Sequence, residues 1–279
     1  MTVKIVADTL GDVPSKIVKE LGITTIPIHV IFGTESFRDG IDLTTEQFYE
    51  RLAHGKIFPT TAVPSIGTFI EVYDKLAEET DGILAVTISH KLSATYETAL
   101  QAVEQMKKKC QVEVIDSQTV AMAEGLIVIA AAKAAKAGAN LDEVVKLTRN
   151  NISRVEIRMA FDTLEYLKRG GRIGRAGALL GSILRVNPVL GIKDGEIYPF
   201  SRERSRAKAI EYLYNFAMSF SNIEGMAVED ATTPDEADML AERLSSKCPK
   251  ERIYRSKVSP VLGAHVGPHV LSVSVLGDR

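Results

Sequence analysis

The sequence predicts an α/β fold in two domains. An N-terminal, mostly parallel sheet flanked by helices occupies residues 1–154, and a C-terminal mixed-sheet α/β domain occupies residues 155–279. Three observations predict it. Short β-branched apolar runs at 3–7, 82–88 and 112–115 are each followed by a polar turn and then by helical spacing, as in βαβ units of a parallel sheet. From residue 155 the pattern changes: Asp194-Gly195 separates apolar runs at 189–193 and 197–200, a strong hairpin signal. Between the run 82–88 and the helix behind it lies I-S-H-K-L-S-A-T-Y, a hydroxyl-rich turn at the carboxyl edge of a sheet, where open α/β folds place ligands.

In chain order, the strand at 3–7 ends in D-T-L-G-D-V-P, where Pro14 opens a helix at its first position. Residues 24–32 read as one extended segment, with Ile26, Ile28, Val30 and Phe32 alternating against polar or smaller neighbours, and 33–43 as a polar loop. Thr44 and Gln47 form a capping box for a helix to about Leu52. Pro59 and Pro64 hold 58–65 extended, which mounts Thr60 and Thr61 on a stiff loop, and Ser65 caps the helix carrying Phe69, Val72, Tyr73 and Leu76. Ser93 is a natural N-cap for a helix with Tyr96, Leu100 and Val103 on one face. An alanine-rich helix spans 119–137, and Asn140 with Glu143 starts the next. In the second half a strand at 155–161 is followed by a glycine- and arginine-rich stretch and an apolar run at 178–184. A helix at 205–220 presents Ile210, Leu213, Tyr214 and Ala217, and a strand at 225–228 leads to Thr233-Pro234-x-Glu236, a capping box with proline at N1. Extended segments at 253–258 and 270–275 enclose a loop, S-P-V-L-G-A-H-V-G-P-H, carrying His265 and His269.

Bulk properties exclude several classes. With 279 residues, 45% hydrophobic, 25% charged and a net charge of −2, the chain has no global drive toward nucleic acid or an anionic membrane. Cys110 and Cys248 stand far apart in no metal or redox spacing, so a reducing compartment is expected. The first residues carry no signal-peptide pattern, and the longest apolar stretch, 126–132, is stopped by Lys133 far short of a bilayer span. A cytoplasmic protein without metal or cofactor is the expectation.

The candidate chemistry is that of anion binding. Ser89, Ser93 and Thr95, with the first amides of the following helix, offer donors to a carboxylate or phosphate; the same Ser93 can also serve only as a cap. Residues 168–206 hold nine Lys/Arg against Asp194, Glu196 and Glu203, a local charge of +6 that suits phosphate, RNA or an acidic protein surface, or else a solvated face. G-R-I-G-R-A-G within it matches neither nucleotide-binding glycine fingerprint. A Ser–His hydrolase would want a G-x-S-x-G elbow, which is missing from the sequence.

Six motifs in register carry a more specific signal: V-A-D-T at 6–9, T-T-A-V-P-S at 60–65, S-H-K-L-S-A-T-Y at 89–96, V-I-D-S at 114–117, L-E-Y-L-K-R-G-G-R-I at 164–173 and S-P-V-L-G-A-H-V-G-P at 259–268. Over its whole length the chain resembles the DegV family, the fatty-acid-binding component of the bacterial fatty acid kinase. The resemblance implies a long-chain fatty acid buried between two α/β domains, its carboxylate on Thr61, Ser93 and His265. It further implies a separate kinase protein that phosphorylates the carboxylate with ATP, the acyl phosphate staying on the binding protein, and nearby roles for Arg169, Arg172, Arg202 and Arg204. On this reading the chain itself is not an enzyme and binds no nucleic acid. Burying a tail of about 15 methylenes gains roughly 12 kcal/mol gross, at ~0.8 kcal/mol each. An unpaired carboxylate would forfeit several kcal/mol of that, hence the need for donors. The chain departs from the family pattern at Leu10, Ala62-Val63, His90 and Ala94, and places His269 and Ser272 where the family has glycines, side chains that reshape or narrow the pocket. The readings that compete with this one are a hydrolase or acyltransferase using Ser93 with His265, and a basic module for phosphate or RNA.

Overall fold

The computed structural model describes residues 3–179 and 186–279. The first half runs β1 (Lys4–Asp8), α1 (Ser15–Leu21), β2 (Thr24–Ile26), β3 (His29–Phe32), β4 (Glu35–Arg38), α2 (Thr45–His54), β5 (Thr60–Ala62), α3 (Ile66–Leu76), β6 (Gly82–Thr87), α4 (Thr95–Gln105), β7 (Gln111–Asp116), α5 (Met122–Lys136) and α6 (Leu141–Ile152). The second half runs β8 (Val155–Ala160), α7 (Glu165–Arg169), β9 (Asn187–Lys193), β10 (Glu196–Glu203), α8 (Arg206–Met218), β11 (Asn222–Asp230), α9 (Pro234–Leu244), β12 (Ile253–Lys257), α10 (Pro260–Val266) and β13 (Leu271–Asp278).

The expected α/β architecture is present. β2-β1-β6-β7 form a parallel sheet. One of its faces is covered by Phe69, Tyr73 and Leu76 of α3 and by Ala99 and Ala102 of α4. β10-β9-β8-β13-β11-β12 form a mixed sheet, antiparallel except for the β11–β12 pair. Its outer face packs on Leu213, Phe216 and Ala217 of α8 and on Leu240 of α9. Between the sheets lies α5, apolar on nearly every side and buried along most of its length, touching β1 and β6 on one side and β8, β11 and β13 on the other. Gly125 is obligatory there, because a Cβ would stand 2.3 Å from the Gly11 carbonyl oxygen. The strands of the six-stranded sheet all come from residue 155 onward, while the α5 core joins the two halves.

Several local expectations are met. Thr44 and Gln47 close a reciprocal capping box, as do Asn140 and Glu143, and the Ser65 hydroxyl accepts the Thr68 amide. Asp194 and Gly195 take φ of 53° and 79°, the left-handed pair a two-residue hairpin turn needs.

Others are corrected. Residues 24–32 are two strands: the chain leaves the parallel sheet at Ile26 and enters an antiparallel sheet, β4-β3-β5, that includes part of the predicted loop at 33–43. Thr60 and Thr61 accordingly sit on a strand. Ser93 does not cap α4; the N-cap position is Ala94, and the Ser93 hydroxyl bonds Thr95 Oγ1 at 2.8 Å. The buried face of α4 is Thr95, Ala99 and Ala102, and Leu100 points outward, 38% exposed. The Thr233–Glu236 box does not form, because Glu236 is taken by Arg206, which reaches it at 2.7 Å from α8. The loop assigned to His265 is the helix α10. Most of the apolar run at 178–184, and Arg185, lie outside the described residues.

Candidate functional site

The carboxyl edge of the parallel sheet faces the inner face of the mixed sheet, and an apolar cavity of about 90 Å³ lies between them. Leu10, Ile88, Leu92, Ser93, Val120 and Ala121 line it from the turns after β1, β6 and β7. Met159 of β8, Ile197 of β10, Glu229 of β11 and Ser272 of β13 line it from the other sheet. β5 contributes Thr61, and α10 contributes Val261, Leu262 and His265. Thus the turn after β6 does sit where ligands of open α/β sheets bind.

Two devices fix that edge. Asp8, buried at the end of β1, accepts the amides of Leu10 and Ile88, each at 2.9 Å, and so ties two lining turns together. Burial pushes its carboxyl up to about 6, against the two amides that favour the anion. Ser89 is not free for a ligand, since its buried hydroxyl donates to the Gly195 carbonyl at 2.8 Å and clamps the β6 turn to the hairpin. Ala121, at φ 59° and ψ −154°, holds a conformation nearly reserved for glycine, anchored by its amide on the Leu10 carbonyl at 2.9 Å.

The polar groups gather at one end. Thr61 Oγ1 lies 2.9 Å from His265 Nε2, joining residues 204 apart in the chain, and Ser93 and Arg172 line the same cavity. Thr61, Ser93 and His265 are all half-buried. His265 is pushed down to about 4, first by burial and then by the charge of Arg172, so at neutral pH it is an uncharged imidazole. Its Nδ1 is buried without a hydrogen-bond partner among the described residues and presses on Gly170, where a Cβ would stand 2.3 Å away. The single imidazole proton therefore belongs on Nε2, since a proton on Nδ1 would be a buried unpaired donor. Nε2–H then donates to Thr61 Oγ1, so the Thr61 and Ser93 hydroxyls are the donors left for an anion, Nε2–H reaching it only by sharing that bond, and no fixed charge stands among the three.

Of the four arginines, only Arg172 lines this end. Its Nε donates to the Leu92 carbonyl at 3.2 Å and its Nη1 to the Gly170 carbonyl at 2.8 Å. Arg169 bonds Glu165 at 2.7 Å and lies over Phe58, which stacks on Tyr166, so it braces the approach to β5. Arg202 and Arg204 are exposed and do not line the cavity. The +6 segment is not a continuous basic patch, because Arg169, Arg175 and Arg206 pair with Glu165, Glu196, Asp162 and Glu236. Ser93 and His265 do not pair with each other: the Ser93 hydroxyl bonds Thr95, and His265 bonds Thr61.

Sequence reasoning missed a group of buried acids. Glu229 lines the cavity, Asp12, Asp39 and Glu124 are buried as well, and burial raises the pKa of each. No local pattern marks them; D-T-L-G-D reads as a turn until the fold covers it. Of the two residues expected to reshape the pocket, Ser272 lines the cavity while His269 is exposed outside it. His90 bonds Asp116 at 2.6 Å.

An α/β protein with an apolar cavity between two sheets, closed at one end by hydroxyls and a neutral histidine, is built to enclose an apolar molecule with an anionic end. The profile of the DegV family, whose description reads "Uncharacterised protein, DegV family", matches residues 2–278, and the chain belongs to that family. It is 34% identical to a DegV domain-containing protein of Caldanaerobacter subterraneus over 97% of both chains, and 31% identical to the protein DegV of Bacillus subtilis over 98% of both. Among solved structures, a DegV family protein from Thermus thermophilus, described for its fatty acid binding, superposes with a TM-score of 0.91 at 29% identity, covering 99% of this chain and 100% of the other. The Bacillus subtilis DegV structure, described as a fatty acid binding protein, gives 0.90 at 29% identity over 99% of each chain.

Proposed function

We propose that this chain binds one fatty acid, its tail in the cavity and its carboxylate on Thr61, Ser93 and His265, and presents that carboxylate to a separate ATP-dependent kinase. The observation that carries the reading is the Thr61–His265 hydrogen bond in a mostly apolar cavity that Ser93 also lines. Fatty-acid binding by solved relatives that align end to end supports it. A carboxylate in a half-buried site keeps one side toward solvent, where a second protein can reach it. Arg172 sits at that opening and can neutralise a phosphoryl group as it is added, so that the acyl phosphate stays bound. In this scheme the chain supplies binding and orientation, the kinase supplies the chemistry, and both work in the cytoplasm. Among the described residues no helix is long and apolar enough to cross a membrane.

Two sets of variants test the parts separately. Thr61→Val and Ser93→Ala should each weaken fatty-acid binding about tenfold or more, since a hydrogen bond to a charged group is worth roughly 1.5–3 kcal/mol. Melting temperatures should stay within a few degrees; unchanged affinity in both variants would place the carboxylate elsewhere. Arg202→Ala with Arg204→Ala, at exposed positions away from the cavity, should retain the lipid yet lower kinase-dependent phosphorylation by about tenfold, as loss of a charge-assisted contact implies. Arg172→Ala should impair both steps. Loss of lipid in the double variant would make Arg202 and Arg204 part of the pocket or the fold, and remove them from kinase docking.

A further inference from the structure

A polar pocket of about 410 Å³ adjoins the cavity and shares Ser93 and Arg172 with it. Its other walls include His90, Lys91, Ala94 and Glu196. Two of these residues are cations with donors to spare. Arg172 uses Nε and Nη1 on the Leu92 and Gly170 carbonyls, and its Nη2 makes no hydrogen bond among the described residues. The Lys91 ammonium lies 4.0 Å from Glu196, beyond hydrogen-bond distance, and it too makes none among the described residues. The acids nearby are engaged: Glu196 lies 3.5 Å from Arg175, and Asp116 accepts the amides of His90 and Gln118 as well as the His90 ring. Ala94, at the N-cap of α4, brings the positive end of that helix to the same place.

A fatty acid has no use for these cations, since its single charge meets hydroxyls and a neutral imidazole. A phosphoryl group brings about −1.5 to −2 of charge at neutral pH, which Thr61, Ser93 and His265 carry no charge to offset. We propose that the pocket is a phosphoryl subsite, in which Lys91 Nζ and Arg172 Nη2 take the phosphoryl group of an acyl phosphate while its acyl carbonyl stays on Thr61 and Ser93. Ser93 and Arg172 stand in both walls, so a group added to a carboxylate on Ser93 has this pocket beside it. Lys91 lines the pocket and not the cavity, so it contacts the phosphoryl end alone. Acid and acyl phosphate thus depend on different residues, and the product is retained by a charge that the acid leaves idle. The Lys91 side chain is 38% exposed, and water screens its contact, so its effect is about tenfold rather than that of a buried pair.

The subsite rests on the fatty-acid reading of the cavity, and paired titrations separate the two. Delipidated protein is titrated calorimetrically with palmitate and with the β-ketophosphonate in which a methylene replaces the bridging oxygen of palmitoyl phosphate, a probe that does not hydrolyse. Lys91→Met, which keeps the stem and removes the charge, should raise Kd for the ketophosphonate about tenfold and leave palmitate within about twofold. Lys91→Glu should raise it by about a further tenfold, and Lys91→Arg should restore binding. A nucleotide is the other source of a phosphoryl group, so ATP is titrated onto palmitate-loaded protein, where Lys91→Met should change nothing. A Lys91-dependent affinity for ATP, with ketophosphonate binding unaltered, overturns the assignment to acyl phosphate. Equal losses for palmitate and ketophosphonate, or no loss for either, overturn the subsite and leave the fatty-acid reading intact. Failure of the wild-type protein to bind either probe overturns both.

Discussion

Alanine at position 170 is expected to cost about a hundredfold in fatty-acid affinity while leaving the fold intact. Gly170 follows α7 with φ −72°, a conformation any residue adopts, so the backbone raises no objection. The objection is spatial: the new Cβ would stand 2.3 Å from His265 Nδ1 and 3.1 Å from its Cε1. The imidazole must swing away, and the 2.9 Å bond to Thr61 goes with it. The carboxylate then loses the His265 donor and the alignment of the Thr61 hydroxyl, two contacts worth about 1.5 kcal/mol each, or a factor of roughly 150 together. His265→Ala should cost a similar amount, and the two substitutions should not add, because the second removes a side chain the first has already displaced. Wild-type affinity in Gly170→Ala would mean that the position of His265 is irrelevant to the ligand.

The second large effect concerns stability. Asp39 is buried, and burial lifts its carboxyl to about 7, offset by the hydroxyls of Thr9 and Ser259 and raised slightly further by Asp8. The ordinary value is 3.8, so the native state holds this proton more tightly than the unfolded chain does. Stability is therefore greatest on the acid side and falls as pH rises from about 4 through 7. A shift of about three pH units corresponds to roughly 4 kcal/mol once the group ionises. Asp8, lifted to about 6, acts in the same direction at slightly lower pH. Asp42 and Asp278, held low by Arg38 and Arg154, pull the opposite way, but only in acid and at exposed positions. Asp39→Asn removes the buried ionisation, and should stabilise the ligand-free protein by about 2–4 kcal/mol at pH 8 and have little effect at pH 4. Urea unfolding at the two pH values measures this. Destabilisation at pH 8 would show that the anion of Asp39 is a favourable partner in the native state.

What the sequence made legible follows from how local each signal is. Capping at Thr44, Ser65 and Asn140 uses partners three residues away, and the hairpin at Asp194-Gly195 uses two adjacent left-handed residues, so both could be read directly. Strand β4 gave no signal because it is an edge strand, exposed at Glu35, Ser36 and Arg38, with no alternation of apolar residues. The division of 24–32 between two sheets leaves the alternation unbroken and is set by pairing partners elsewhere in the chain. Two caps failed for the opposite reason: Thr95 draws off the Ser93 hydroxyl, and Arg206, thirty residues away, draws off Glu236. Thr61, Ser93 and His265 were placed together by the family motifs; all three line the cavity, and Thr61 and His265 are in hydrogen-bond contact. The buried acids had no such guide. Asp12, Glu124 and Glu229 become unusual only when α5 and the two sheets exclude water from them.

Native mass spectrometry of the delipidated protein with added fatty acids of eight to eighteen carbons tests the central claim most directly. The expected result is the mass of the chain plus one fatty acid, and loss of that adduct when Thr61→Val, Ser93→Ala and His265→Ala are combined. A bare chain with acids of every length from eight to eighteen carbons, or an adduct undiminished in the triple variant, would contradict it.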